Sequence, residues 1–82
     1  PAKPQPGIAT AEADAYLAKA EEALRSGDLA VARLFFGRVA EGGDARGAHG
    51  MARTYDQEVL RTLPVFGLKP DRAEAERWYA RG

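Results

Sequence analysis

Apolar residues recur at helical spacing along the chain, in stretches separated by turn residues. The first stretch predicts a helix from about Ala11 to Arg25, with Thr10 as its cap. The second predicts a helix that begins after Asp28 and runs to about Glu41. The short turn between these helices favours antiparallel packing. The predicted buried positions are Ala13, Tyr16, Leu17, Ala20, Ala23 and Leu24 in the first helix, and Leu29, Ala32, Phe35, Phe36 and Val39 in the second.

Two more helices are predicted in the second half of the chain. The third begins after Asp44 and reaches Tyr55, or at most Leu60. Residues 61–70 contain two prolines and therefore form a loop. The fourth helix begins after Asp71. The predicted apolar positions are Ala45, Ala48, Met51, Ala52 and Tyr55 in the third helix, and Ala75, Trp78 and Tyr79 in the fourth.

Two glycines lie inside the third predicted helix, at Gly47 and Gly50. A glycine inside a helix costs about 1 kcal/mol relative to alanine. We therefore expect these positions to allow a close approach to the second helix.

The second half of the chain repeats the first. Four residues recur 43 positions later, and the pair Phe35-Phe36 recurs as Trp78-Tyr79 at the same offset. The four recurring residues are Asp28, Ala30, Ala32 and Arg38, which become Asp71, Ala73, Ala75 and Arg81. A second echo has an offset of 31 and relates Leu17, Ala20 and Leu24 to Ala48, Met51 and Tyr55.

Self-similarity at this period is typical of helical solenoids. The predicted fold is all-α, with two antiparallel helical hairpins (four helices) stacked as a short α-solenoid. The first repeat covers about residues 11–43 and the second about residues 44–82. Residues 1–9, PAKPQPGIA, are predicted to be a proline-rich linker that precedes a domain over residues 10–82.

Composition narrows the classes of function. The formal net charge is zero, from 12 basic and 12 acidic residues, so nucleic-acid binding is not predicted. The chain has no cysteine, and no apolar run approaches the roughly 18 residues of a membrane span. We therefore expect a protein or peptide partner and no membrane insertion, with a cytoplasmic or a periplasmic location both left open.

The second half of the chain also resembles a known family. Residues 48–55, AHGMARTY, are similar to the first helix of a Sel-one-like repeat, a relative of the tetratricopeptide repeat. Residues 67–71, GLKPD, followed by Ala75 and Trp78-Tyr79, resemble the second half of that repeat. The chain departs from the family in its longer 61–70 loop and in Glu21, where a small residue is expected.

The resemblance implies a right-handed superhelix of hairpins that serves as an adaptor or scaffold in a larger bacterial protein, without catalytic activity. His49 is the only histidine, and the sequence lacks the partners that a catalytic or metal-binding histidine needs. No catalytic residue, metal ligand or cofactor site is predicted. The aromatic residues are interpreted as core residues rather than as a binding platform: Phe35, Phe36, Trp78 and Tyr79.

In the resembling family, the first helix of each hairpin lines a concave groove. The inner positions of the third helix would be Arg46, His49, Arg53 and Asp56, and the matching positions of the first helix include Glu22 and Arg25. Arginines on one face favour an acidic or carboxylate-ended peptide, because a guanidinium binds a carboxylate bidentately. The alternative interpretation is a solvated charged face.

The 61–70 loop is rich in apolar residues: Leu63, Val65, Phe66 and Leu68. Such a loop either packs onto the core, which we favour, or forms a partner-binding edge in which Phe66 takes part. The predicted function is therefore protein–protein interaction through a helix-lined groove. The alternative is a structural segment of a longer repeat array that associates with itself or with neighbouring repeats.

Overall fold

The computed structural model describes residues 9–82, and all regular structure among them is helical. Five helices lie within these residues: α1 (Thr10–Arg25), α2 (Leu29–Glu41), α3 (Ala45–Arg53), α4 (Gln57–Leu60) and α5 (Arg72–Arg81). The prediction of an all-α fold is confirmed. The predicted linker over residues 1–9 lies, apart from Ala9, outside the described residues.

Aspartate side chains start four of the five helices by accepting a hydrogen bond from a backbone N–H of the first turn. The accepting residues are Asp28, Asp44, Asp56 and Asp71. Asp28 and Asp71 cap at equivalent places, because each accepts from the residue three positions later. The prediction of a Thr10 cap for α1 was wrong. Thr10 is already helical, and the capping position is Ala9, which has no side-chain hydrogen bond.

The break between α3 and α4 was not predicted, and the count of four helices was wrong for this reason. Helix α3 ends at Arg53, well before Leu60. Arg33 of α2 donates from Nε to Thr54 Oγ1 at 2.9 Å and from Nη2 to the Thr54 carbonyl oxygen at 2.8 Å. The carbonyl at the end of α3 is therefore satisfied by a side chain instead of by a further helical turn. Asp56 then starts α4.

Helix α2 packs against both α1 and α3, and α5 packs against α3. Gly47 lies beside Ala40, whereas Gly50 lies beside Phe36, so α2 and α3 run antiparallel. The core cluster lies where α1, α2 and α3 meet. Its buried members are Ala20, Ala23, Leu24, Ala32, Phe36 and Met51. The many alanines allow these helices to approach closely.

The predicted close approach at the two glycines of α3 is confirmed. A Cβ atom added to Gly47 would lie 2.2 Å from the backbone nitrogen of Ala40 and 2.7 Å from the carbonyl oxygen of Phe36. A Cβ atom added to Gly50 would lie 2.1 Å from Cδ1 of Phe36. Both glycines therefore face α2, where even a methyl group has no room.

The prediction that the four aromatic residues belong to the core holds only in part. Phe36 is fully buried, and Phe35 and Trp78 are partly buried against the core cluster. Tyr79 was wrongly assigned to the core and is exposed. The reason is that α5 packs mainly on α3, so that only one side of α5 is covered.

We expect Gly47→Ala to lower the free energy of unfolding by about 1–3 kcal/mol, because the new methyl group meets backbone atoms that cannot move aside. This loss should outweigh the helix-propensity gain of about 1 kcal/mol. The matched control is Gly37→Ala in α2, where the added Cβ would lie 3.9 Å from Met51 Sδ, an ordinary contact. Urea unfolding followed by circular dichroism should show the control to be at least as stable as the wild type. Equal stability of the two variants would contradict the close contact.

Candidate functional site

Two ion pairs connect α1 to α3. Arg46 Nη1 lies 2.9 Å from Asp14 Oδ1, and Arg53 Nη1 lies 2.6 Å from Glu21 Oε2. The two acids are seven residues apart on α1, and the two arginines are seven residues apart on α3. Seven residues are close to two helical turns, so each set lies on one face of its helix. Helices α1 and α3 are therefore parallel where they meet.

The pair between Glu21 and Arg53 is bidentate. Arg53 donates from Nη1 to Oε2 at 2.6 Å and from Nη2 to Oε1 at 2.8 Å. The hydrogen bond from Arg53 lowers the pKa of Glu21 against the opposing effect of burial, and the charges of Arg53, Arg25 and His49 lower it further. Glu21, which occupies a position where the resembling family has a small residue, is thus accommodated as the partner of Arg53.

Arg46 is held by two carboxylates. It donates to Asp14 of α1 and also to Asp44, the N-cap of α3, at 2.7 Å from Nη2 to Oδ2. The hydrogen bonds from Arg46 lower the pKa of Asp44. Arg46 and Arg53 were predicted to bind the carboxylate of a partner. Both are already paired with carboxylates of the chain itself, so an incoming carboxylate must compete with them.

His49 lies between the two arginines on α3 and is exposed. Its ring centroid is 5.3 Å from that of Tyr79 of α5, at an interplanar angle of 60°. The hydroxyl of Tyr79 donates to Asp56 Oδ2 at 2.7 Å. Tyr79 is 36% exposed, and the partial burial of its ring, followed by this hydrogen bond and the charge of Asp56, raises its pKa to about 12. Asp56 is therefore engaged with α5 and with the start of α4.

A groove of about 390 Å³ opens between α1 and α3, and we call it the α1–α3 groove. Its lining residues are Leu17, Glu21, Ala45, Arg46, His49, Arg53 and Gly82. Of the residues predicted to bind a partner, the groove brings together Arg46, His49 and Arg53. Glu22 and Arg25 are exposed on α1 but do not line the groove, and Asp56 and Phe66 lie elsewhere.

The acidic partners on α1 were missed by the sequence reasoning. Asp14 and Arg46 are 32 residues apart, and so are Glu21 and Arg53. This spacing differs by one residue from the offset of 31 that relates the first and third predicted helices. The sequence therefore contained a signal for the contact between α1 and α3: two acid–arginine pairs have the same spacing, which is close to the offset of the repeat.

The 61–70 loop is closed at its base, and near its tip Val65 packs beside Gly27, where an added Cβ atom would lie 2.1 Å from Val65 Cγ2. The backbone N–H of Asp71 donates to the carbonyl oxygen of Tyr55 at 2.9 Å. Leu63 packs against the core cluster, as expected for a docked loop. Phe66 is 100% exposed, so the favoured docking of the loop does not extend to Phe66. The residues of this segment that pack inward are the buried Leu60 and the partly buried Leu63.

Other kinds of site receive no support from the described part of the chain. Residues 9–82 contain no group of three or more side chains placed to hold a metal ion. None of the helices described here is both long enough and apolar enough to cross a membrane. Every buried side-chain nitrogen and oxygen over the same range has a hydrogen-bond partner.

No protein-family model matches the chain, and no match was found among curated proteins or solved structures. The resemblance to Sel-one-like repeats therefore rests on the residues quoted above and stays a prediction. The site is defined by its geometry alone.

We expect Glu21→Gln to lower the free energy of unfolding at neutral pH by about 0.5–1 kcal/mol, a value that allows for the partial exposure of the ion pair. The pKa of Glu21 is lower in the folded state than in the unfolded chain. The pair therefore stabilises the fold above about pH 4.3, and its contribution is lost as the pH falls through the lowered pKa. The variant should lose this part of the acid dependence in denaturant titrations from pH 7 to pH 3.

The matched control for this measurement is Glu22→Gln, which changes an exposed neighbour on the same helix with no ion pair among residues 9–82. It should keep the wild-type acid dependence. An identical pH profile for both variants would show that the pair with Arg53 contributes nothing to stability.

We expect Phe66→Ser to change the free energy of unfolding by less than about 0.5 kcal/mol, because the side chain contacts only solvent. Leu60→Ala, in the same segment, should lower it by about 2–5 kcal/mol, because Leu60 is buried. Thermal unfolding of both variants distinguishes an exposed loop tip from a docked one. A large loss of stability in Phe66→Ser would show that the loop packs onto the core after all.

Proposed function

We propose that the chain is a protein–protein interaction module, an adaptor or scaffold of a larger bacterial protein. In this proposal the two hairpins stack as a short α-solenoid of the Sel-one-like kind, with α1 and α3 as the groove-lining helices. The observation that carries the proposal is the α1–α3 groove, in which exposed His49 lies between two ion pairs beside half-buried Leu17.

The charges in this groove determine which partner fits. Two arginines face three carboxylates along the groove, so no positive charge is left over at neutral pH. An acidic peptide would meet repulsion from Asp14, Asp44 and Glu21. A segment without excess negative charge, which places an apolar side chain beside Leu17 and hydrogen-bonds to the outer atoms of the ion pairs, matches the groove better.

Phe66 would provide a second contact surface, either for the same partner or for another one. A fully exposed phenylalanine gains free energy when a partner covers it, and buried aromatic residues often dominate the binding energy of interfaces. Phe66 does not line the α1–α3 groove, so the two contacts can be tested separately.

The alternative proposal is a structural segment of a longer array. Exposed Val31 and Leu34 on α2 favour it, because they offer an apolar strip to a neighbour. Helix α5 gives it less support, because ion pairs of Arg72 with Glu76 and of Arg77 with Glu74 cover exposed positions there. Polar outer faces are typical of the end of an array.

The test of the α1–α3 groove is photo-crosslinking in a bacterial lysate, with a benzophenone amino acid at position 49, at position 66 and at position 30 of α2. We expect position 49 to yield a specific adduct with a partner, because His49 is exposed in the groove. Position 30 serves as the exposed control on another helix. Adducts that form equally from positions 49 and 30 would contradict a specific groove, and adducts with the chain itself would favour the structural alternative.

A substitution that fills the groove gives the quantitative test with the partner identified in this way. Ala45→Gln adds a larger side chain to the groove lining, and Ala30→Gln makes the same change at an exposed position of α2. We expect the first to weaken binding at least tenfold and the second to leave it unchanged, while circular dichroism shows both to be folded. Unchanged binding by Ala45→Gln would rule out the groove as the contact.

A further inference from the structure

A second groove, also of about 390 Å³, lies between α2 and α5, and we call it the α2–α5 groove. Buried Met51 and half-buried Trp78 and Gly37 give it an apolar surface. Leu34, which is 52% exposed, continues this surface toward solvent. The α2–α5 groove does not share a lining residue with the α1–α3 groove.

Two arginines of the α2–α5 groove carry charges that no carboxylate of residues 9–82 neutralises. Arg38 and Arg81 form no ion pair with any residue from 9 to 82, although both line the groove. Arg33 also lines the groove, but its Nε and Nη2 donate hydrogen bonds to Thr54. The one acidic residue in the lining is Glu41. The groove therefore carries an excess of positive charge on a chain whose net charge is zero.

Arg38 and Arg81 are also equivalent positions of the internal repeat, 43 residues apart. Each lies in the last turn of its helix, where the helix dipole favours a cation. The dipole accounts for a basic residue at the end of each helix. The dipole alone does not make a site, because Arg25 in the last turn of α1 also forms no ion pair with residues 9–82. Arg38 and Arg81 differ from Arg25 because they line one groove together.

We propose that the α2–α5 groove binds an acidic peptide segment in which carboxylates flank an apolar side chain. The carboxylates pair with Arg38 and Arg81, and the apolar side chain lies against Met51 and Trp78. Charge complementarity carries this assignment, because a guanidinium that is not paired with a carboxylate can donate two hydrogen bonds to one without displacing another carboxylate. The site is separate from the α1–α3 groove and does not depend on it.

A single-stranded nucleic acid is the competing occupant, since it also combines negative charge with flat rings. The geometry favours the peptide. The guanidinium carbon of Arg81 lies 4.4 Å from the centroid of the Trp78 ring, so one face of the only tryptophan is already covered and is not open for base stacking. Two guanidiniums also provide few contacts for a phosphate backbone.

Trp78 provides the measurement, because its fluorescence reports on the groove without a label. The probe is an acetylated and amidated peptide, Glu-Glu-Leu-Glu-Glu, and the matched peptide is Gln-Gln-Leu-Gln-Gln. We expect the acidic peptide to shift the emission of Trp78 and to bind at least tenfold more tightly than the glutamine peptide at low salt. Equal binding of the two peptides, or no binding of either, would overturn the proposal without any variant being needed.

Variants then locate the binding. Arg38→Gln combined with Arg81→Gln should weaken binding of the acidic peptide at least tenfold, and both residues are exposed, so the fold is preserved. The control Arg77→Gln removes an arginine from the same helix outside the groove and should have no effect. Ala45→Gln should also have no effect, which separates this site from the α1–α3 groove. Equal losses in the double variant and in Arg77→Gln, or tighter binding of an octathymidylate than of the acidic peptide, would refute the assignment.

Discussion

The contact between α2 and α3 is the constraint on which the rest of the structure depends. Gly47 and Gly50 let α3 lie against Ala40 and Phe36 with no room for a methyl group between them. At this short distance Arg33 of α2 reaches the end of α3 and satisfies its last carbonyl. The same contact positions the arginines of α3 beside the acids of α1. The two glycines lower the helix propensity of the short α3. This cost is offset by close packing on α2, by the hydrogen bond from Arg33 at the end of α3 and by the two ion pairs with α1.

The ion pairs also determine what kind of surface the first helices present. Two arginines on one face of a helix predict a binding site for carboxylates when that helix is considered alone. In the fold, Asp14 and Glu21 neutralise Arg46 and Arg53, so these arginines join two helices instead. Two arginines without a carboxylate partner among residues 9–82, Arg38 and Arg81, lie together in the α2–α5 groove. Local charge in a protein of zero net charge therefore follows from helix packing and not from composition.

A structural feature could be predicted from the sequence when the residues that cause it are close together in the chain. The starts of α2 and α5 follow from an aspartate next to a periodic apolar run, and both signals lie within a few residues of the helix end. The end of α3 depends on Arg33, 21 residues earlier, so no local pattern revealed it. The exposure of Phe66 has no local signal either, because apolar residues of the same segment, Leu60 and Leu63, pack inward. The partners of Arg46 and Arg53 were nonlocal too, although their constant spacing left a signal.

The hydrogen bond between Asp71 and Tyr55 has a consequence for how this protein can diversify. It holds the two ends of the intervening segment together, so exposed positions such as Phe66 can change while α3 and α5 keep their places and Leu60 and Leu63 stay packed. Extra length in a closed loop costs little entropy, about 0.6 kcal/mol for each doubling. Substitution or extension at the exposed positions around Phe66 can therefore change this surface at little cost in stability, while the packed residues of the same segment hold it to the helices.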